Sequence, residues 1–211
     1  MRSFIISSRT MKPNEFFWEN GYLVVRNFIS EAEKLSFLPD DLYSERHIEW
    51  LYDGTFEGDF KEEVQVNGSY SRTCYPPLRH FHQQMKNQVQ KIILPPHQLH
   101  PTFYFDRIYY HGNELKPHKD WEPCEISVTL QLRTTLAKPW KFYVETKSDE
   151  VIDVDMENGD AVIYLGNRVK HWREPMPGGP KDFHHQLFLH YVVYDGPAFK
   201  ELKQCGYLQG V

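Results

Sequence analysis

Tyr109-Tyr110-His111-Gly112-Asn113-Glu114-Leu115-Lys116-Pro117-His118-Lys119-Asp120 is the stretch on which the reading of this chain turns. Residues i and i+2 of an extended strand project from the same face, so His118 and Asp120 set an imidazole beside a carboxylate, able to share one cation. The spacing alone is weak, because 11 histidines in 211 residues supply roughly 0.6 of a His-x-Asp by chance. The surroundings strengthen it. Asp106-Arg107-Ile108-Tyr109-Tyr110 reads as a strand and Gly112-Asn113 as a turn. Glu125-Ile126-Ser127-Val128-Thr129-Leu130-Gln131-Leu132 then alternates polar with apolar, so the pair sits at a strand edge within a run of β-structure.

Further along, Gly159-Asp160-Ala161-Val162-Ile163-Tyr164 reads as a strand, Leu165-Gly166-Asn167 as a turn, and Arg168-Val169-Lys170-His171-Trp172-Arg173 as another strand. By period two, Val169, His171 and Arg173 share one face, which suggests a polar site inside a barrel. His171 can supply a third ligand. Two imidazoles and a carboxylate with open positions form the facial donor set that suits a non-haem ferrous ion. Taken singly, His118 and Asp120 also fit an exposed turn, and His171 a satisfied core histidine.

These pieces resemble the Fe(II)- and 2-oxoglutarate-dependent dioxygenases, in their prolyl-4-hydroxylase-like branch. The matching features are Tyr109-x-x-Gly112, Pro117-His118-x-Asp120, the strand Ile126 to Leu132, Gly159-Asp160, His171 and a closing strand from Gln186 to Val193. They cover roughly residues 100–195. Asn20-Gly21-Tyr22-Leu23-Val24-Val25-Arg26-Asn27-Phe28 is similar to openings common in that superfamily. The resemblance implies a jelly roll in which His118, Asp120 and His171 hold Fe(II). It implies hydroxylation of a C–H bond by O2, with 2-oxoglutarate converted to succinate and CO2, and ascorbate as a reductant. Asp120 points to a hydroxylase, since halogenating relatives lack the carboxylate.

The family grips the far carboxylate of 2-oxoglutarate with a Lys or Arg some nine to eleven residues past the distal histidine. Here Pro180, Lys181 and Asp182 occupy those positions. Three anchors are open: Arg173, whose planar fork suits a carboxylate; Lys181, by spacing; and His185, by aligning the end of the last strand. Arg173 is preferred, with an ion pair to Glu174 or Asp160 as its bland alternative. Tyr109 either bonds the co-substrate or fills the barrel, and Gln131 lies where the family often places a co-substrate contact. Trp121 and Trp172 flank ligands and either shape the substrate mouth or simply pack.

Composition sets further bounds. A net charge of −5 and a pI near 6.1 lack the basic footprint of a nucleic-acid-coating protein. Mean hydropathy is −0.61, and no run of about 18 apolar residues suggests a membrane span. The start Met1 to Ser8 is too short in apolar residues for a secretory signal. Cys74, Cys124 and Cys205 form no Cys-x-x-Cys pair, which suggests reduced thiols and a cytoplasmic setting. No phosphate loop, Gly-x-Ser-x-Gly elbow or His-Glu-x-x-His occurs.

The expected architecture is α+β: one domain over 1–211, with a double-stranded β-helix (cupin-like jelly roll) core over about 100–195 and N-terminal helices on an outer face. Helices are expected over 13–20, 30–37 and 40–52, with Ser30 and Glu33 as a capping box, and a strand over 22–28. The polar, Gly-punctuated segment 53–72 reads as a lid or as a surface connection. Pro76-Pro77 opens the clearest helix, with Leu78, Phe81, Met85, Val89 and Ile92 on one stripe, and Pro95-Pro96 ends it. Strands are expected at 103–110, 125–132, 140–145, 151–155, 160–165, 168–173 and 184–193. The substrate is a peptidyl residue or a small molecule. The rivals are a non-catalytic jelly-roll binding or structural protein, and a cupin-type metalloenzyme that needs no 2-oxoglutarate.

Overall fold

The computed structural model describes residues 11–30, 60–94 and 97–208. The expected helices over 30–37 and 40–52, the segment 53–59 and the Pro95-Pro96 stop fall outside the described residues, Ser30 apart. Three α-helices are described: α1 (Pro13–Asn20), α2 (Arg79–Ile93) and α3 (Pro197–Gln204). The strands are β1 (Tyr22–Val25), β2 (Lys61–Glu62), β3 (Tyr70–Thr73), β4 (Leu99–Tyr110), β5 (Leu115–His118), β6 (Ile126–Thr134), β7 (Phe142–Glu145), β8 (Val151–Val154), β9 (Ala161–Tyr164), β10 (His171–Arg173) and β11 (Phe183–Val193).

They form a larger sheet, β1-β9-β6-β11-β4-β3-β2, and a smaller one, β5-β10-β7-β8, with every pairing antiparallel. From β4 to β11 the chain passes back and forth between the sheets, which is the winding of a double-stranded β-helix. The inner faces meet in aromatic contacts: Tyr164 on β9 lies 4.5 Å from the His171 ring on β10, and Tyr109 on β4 lies 5.1 Å from Trp140.

Alternation splits β11 into two faces. Leu187, Leu189 and Tyr191 point outward beneath α2; the Tyr191 hydroxyl donates to the His82 carbonyl at 3.1 Å. His184, Gln186, Phe188 and His190 point inward. α2 closes the outer face with Phe81, Met85, Val89 and Ile93, all buried, each worth about 1.5–3 kcal/mol of apolar burial. Trp18 of α1 donates its indole N–H to the Ile93 carbonyl at 2.6 Å, tying the two helices together. Gly21 ends α1 at φ 87°, a left-handed cap that suits glycine.

Several boundaries differ from expectation. β1 stops at Val25, and Asn27 turns the chain at φ 49°. The 168–173 strand shortens to His171–Arg173, because Arg168 and Val169 both donate to the Leu165 carbonyl and close a turn first. The end of the 53–72 segment supplies β2 and β3 at the edge of the larger sheet. Lys116-Pro117 lies within β5, an edge strand, where a missing N–H costs no ladder bond. The helix α3 was not expected.

Candidate metal centre

β5 and β10 are adjacent, with His118 directly opposite His171, and their rings stand 4.3 Å apart. Asp120 lies just beyond β5, its amide held by the Gly166 carbonyl at 2.8 Å. His118 Nε2 and His171 Nε2 are 3.5 and 3.4 Å from the same oxygen, Asp120 Oδ1. The structure thus brings His118, Asp120 and His171 to one point, with ligating atoms all within 4.8 Å of one another.

The histidine tautomers follow from the hydrogen bonds. His118 Nδ1 faces the Lys116 carbonyl at 2.8 Å, and His171 Nδ1 faces the Val169 carbonyl at 3.2 Å. A carbonyl only accepts, so each Nδ1 carries the proton and each Nε2 presents a lone pair. Both lone pairs face a carboxylate oxygen. With both imidazoles neutral, three acceptors converge on one point and repel unless a proton or a metal cation lies between them. The donor set, two neutral imidazoles and one carboxylate, fits Fe(II). Burial alone would raise the Asp120 carboxyl, but in the metal-free protein imidazoles that carry a proton on Nε2 and donate to it outweigh burial and hold it well below the usual range; a bound cation would take the place of those protons.

Asp120 Oδ2 accepts from Ser127 Oγ at 2.9 Å, and Ser127 Oγ lies 3.0 Å from His190 Nδ1. Burial brings the His190 imidazole down to about 4, so it is neutral near pH 7. Burial, with Asp120 and Glu122 adding to it, pushes the neighbouring Cys124 thiol far up and keeps it protonated.

The centre opens into a cleft of about 430 Å³. Phe103, Phe105, Phe188 and His190 stack along one wall, Phe105 on Phe188 at 4.5 Å and Phe103 on His190 at 4.4 Å. Glu63, Gln65 and Arg107 form a polar wall. Arg107 fastens the β2–β3 segment there, donating to Glu63 at 2.8 Å, Gln65 at 3.2 Å and Ser71 at 2.9 Å. Residues 60–72 are therefore a docked wall of the cleft.

The other singled-out residues fall in distinct places. Arg173 shares the inward face of His171 and is 1% exposed. Its guanidinium donates to the Trp140 carbonyl, to Gln186 Oε1 at 3.3 Å and to Met156 Sδ at 3.6 Å. It also lies over the Trp140 ring at 4.7 Å. None of these partners is a carboxylate; Asp160 pairs instead with Arg26 at 2.6 Å. Burial lowers Arg173 to about 10, with Tyr109 and Tyr164 opposing, and it remains a cation at neutral pH. It does not line the open cleft, although Leu115, its partner across the β5–β10 ladder, does.

Tyr109 is buried within the barrel, its hydroxyl accepting from Arg107 at 3.2 Å. Gln131 donates to Asn158 at 3.1 Å and leaves its buried Oε1 without a partner. Lys181 is exposed in a turn that Asp182 closes on the Gly179 carbonyl. His185 points outward to Asp106 at 2.9 Å; adjacent strand residues face opposite ways, so it is His184 that enters the barrel. Trp121 stands at the cleft rim, 54% exposed, whereas Trp172 faces away and stacks on Tyr143. The sequence reading missed Ser127, His190 and Arg107. Their one local signal is that polar side chains occupy the alternate positions of β4, β6 and β11 that face inward.

No family model matches the chain, and no curated protein sequence does. Solved structures do match. A Pseudomonas putida prolyl-4-hydroxylase is 12% identical, with 83% of this chain and 94% of that chain covered at a TM-score of 0.62. HygX from Streptomyces hygroscopicus, with nickel and 2-oxoglutarate bound, is 11% identical with 87% of each chain covered at 0.62. A Trichoplax adhaerens prolyl hydroxylase, in complex with a hypoxia inducible factor oxygen degradation domain peptide fragment, is 11% identical with 88% and 89% covered at 0.63. The chain shares the jelly-roll fold of these oxygenases.

Proposed function

We propose that this chain is an Fe(II)- and 2-oxoglutarate-dependent oxygenase that hydroxylates a C–H bond of a peptidyl residue or small molecule, with succinate and CO2 released. The observation that carries the reading is the convergence of two imidazole lone pairs and a carboxylate oxygen at 3.4 to 3.5 Å. His118, Asp120 and His171 would hold the metal. When bound, iron supplies the O2 chemistry that side chains lack.

The chain's own residues supply the rest. Backbone carbonyls fix both imidazoles with Nε2 toward the site, so little reorganisation is needed on binding. The stacked wall of Phe103, Phe105 and Phe188 keeps one side of the cleft dry and shapes where a substrate lies. Arg173 would balance the far carboxylate of 2-oxoglutarate. A buried guanidinium with only neutral acceptors is costly, and a carboxylate supplies both charge and paired acceptors. Tyr109 and Gln131 would line the same interior. Ascorbate would serve as reductant.

A second reading has one observation in its favour. Arg173 lies behind the cleft lining, as expected for a metalloenzyme of this fold that does not use 2-oxoglutarate. Turnover separates the two. Protein supplied with Fe(II), ascorbate, O2 and 2-oxoglutarate should yield succinate well above the Asp120→Ala variant. Equal succinate from both proteins would remove the oxygenase reading.

A further inference from the structure

Asp120 has two oxygens with different surroundings. Oδ1 faces the two histidines. Oδ2 faces away, 2.9 Å from Ser127 Oγ. The Ser127 hydroxyl has one proton, and around it lie Asp120 Oδ2 at 2.9 Å, the Cys124 carbonyl at 3.3 Å, His190 Nδ1 at 3.0 Å and the Tyr164 hydroxyl. If Ser127 donated to His190, its oxygen would confront an ionised carboxylate with lone pairs on both sides. The favourable assignment sends the serine proton to Asp120 and makes His190 Nδ1–H the donor to Ser127. His190 Nε2 is then a bare acceptor, and it is a buried atom with no partner. That leaves the imidazole with an uncompensated nitrogen, a cost that a purely structural residue such as Phe would not incur.

The third wall of this arrangement is Gly166. A Cβ there would stand 2.4 Å from Asp120 Oδ2, from the Cys124 carbonyl and from Ser127 Oγ. No other side chain fits without displacing the carboxylate. The His190 ring is itself wedged against Phe103, so the chain of contacts runs from the cleft wall to the ligand.

We propose that Ser127, supported by His190, is a positioning residue that occupies Asp120 Oδ2 and leaves Oδ1 alone to face the metal. The inference rests on the metal reading given above. A carboxylate that offers one oxygen takes one coordination position, and holding it so keeps the remaining positions for co-substrate and O2. Outer partners of metal ligands typically contribute tenfold to a hundredfold to affinity.

The test uses Ni(II), titrated by calorimetry into the metal-free full chain as wild type, Ser127→Ala and His190→Phe. Ser127→Ala deletes one atom, and His190→Phe keeps the ring stack, so both variants should fold; thermal unfolding of the metal-free proteins checks this. Ser127→Ala should bind about tenfold to a hundredfold more weakly, and His190→Phe weaker by a smaller factor. Co(II)-loaded Ser127→Ala should also show altered visible bands as Oδ2 becomes free to coordinate. A folded Ser127→Ala protein with wild-type affinity and bands overturns the proposal. A His190→Phe protein that binds like wild type overturns the part given to His190. Wild type that binds no Ni(II) overturns the metal reading as well, so the two failures are told apart.

Discussion

Arg72 and Arg173 are both almost fully buried, at 3% and 1% exposure, yet their surroundings differ in one respect. Arg72 grips Asp106 with two bonds, at 3.0 and 2.7 Å. Asp106 in turn meets His185 at 2.9 Å, and the guanidinium rests 3.6 Å above the Tyr75 ring. This network is closed: the cation has its carboxylate. Arg173, inside the barrel, has a carbonyl, an amide and a thioether. The histidines repeat the contrast. His185 faces outward into the closed network, while His184 and His190 face inward, each with one buried nitrogen lacking a partner. A folded chain closes the polar networks that only hold it together. Gln88 on α2 and Asn167 in the turn after β9 also leave a buried oxygen without a partner, but Arg173, His184 and His190 are the open groups that face the barrel interior, where the proposed ligand would meet them.

The largest effect should come from opening the closed network. Asp106→Ala leaves Arg72 buried and unpaired, and should cost about 3–5 kcal/mol of stability in denaturant unfolding. Metal stoichiometry of the protein that remains folded should not change. A loss under about 1 kcal/mol would break the contrast, because the outer network would then matter no more than a surface pair.

Next comes the ligand carboxylate. Gly166→Ala forces a methyl against Asp120 and Ser127, and should cost about 1–3 kcal/mol as overpacking. Ni(II) affinity should drop at least tenfold, since it is the proposed ligand itself that is displaced. Measured by calorimetry, unchanged affinity would mean that Asp120 is not held where the structure has it.

Much of this was legible in the sequence, and the exceptions have physical causes. The convergence of His118, Asp120 and His171 was readable because His118 and Asp120 are local to one strand edge and His171 follows a turn signal. The strand β6 announced itself by polar/apolar alternation, while β4 and β9 read as strands followed by turn signals at Gly112-Asn113 and Leu165-Gly166-Asn167. Short polar β2 and β3 carry no such pattern; they become strands because β4 offers an edge, a tertiary effect. β5 was hidden by Lys116-Pro117, acceptable only because the strand is an edge. The Ser127–His190 contact joins residues 63 apart, and no local rule reports it. The proposed co-substrate anchor stayed open among Arg173, Lys181 and His185 because spacing cannot say which way a side chain faces. The folded chain turns His185 outward and puts Lys181 in an exposed turn, leaving Arg173 as the inward one of the three.

The most direct test is Arg173→Met, which keeps the side-chain length and removes the charge. Loaded with Ni(II) and titrated with 2-oxoglutarate by calorimetry, it should bind at least about tenfold more weakly than wild type, since one charge-assisted bond is worth about 1.5–3 kcal/mol. Its Ni(II) stoichiometry should be unchanged and its stability equal or higher, as expected when a buried unpaired cation becomes apolar. Wild-type affinity for 2-oxoglutarate in Arg173→Met, or a collapse of its stability like that of Asp106→Ala, would contradict the account.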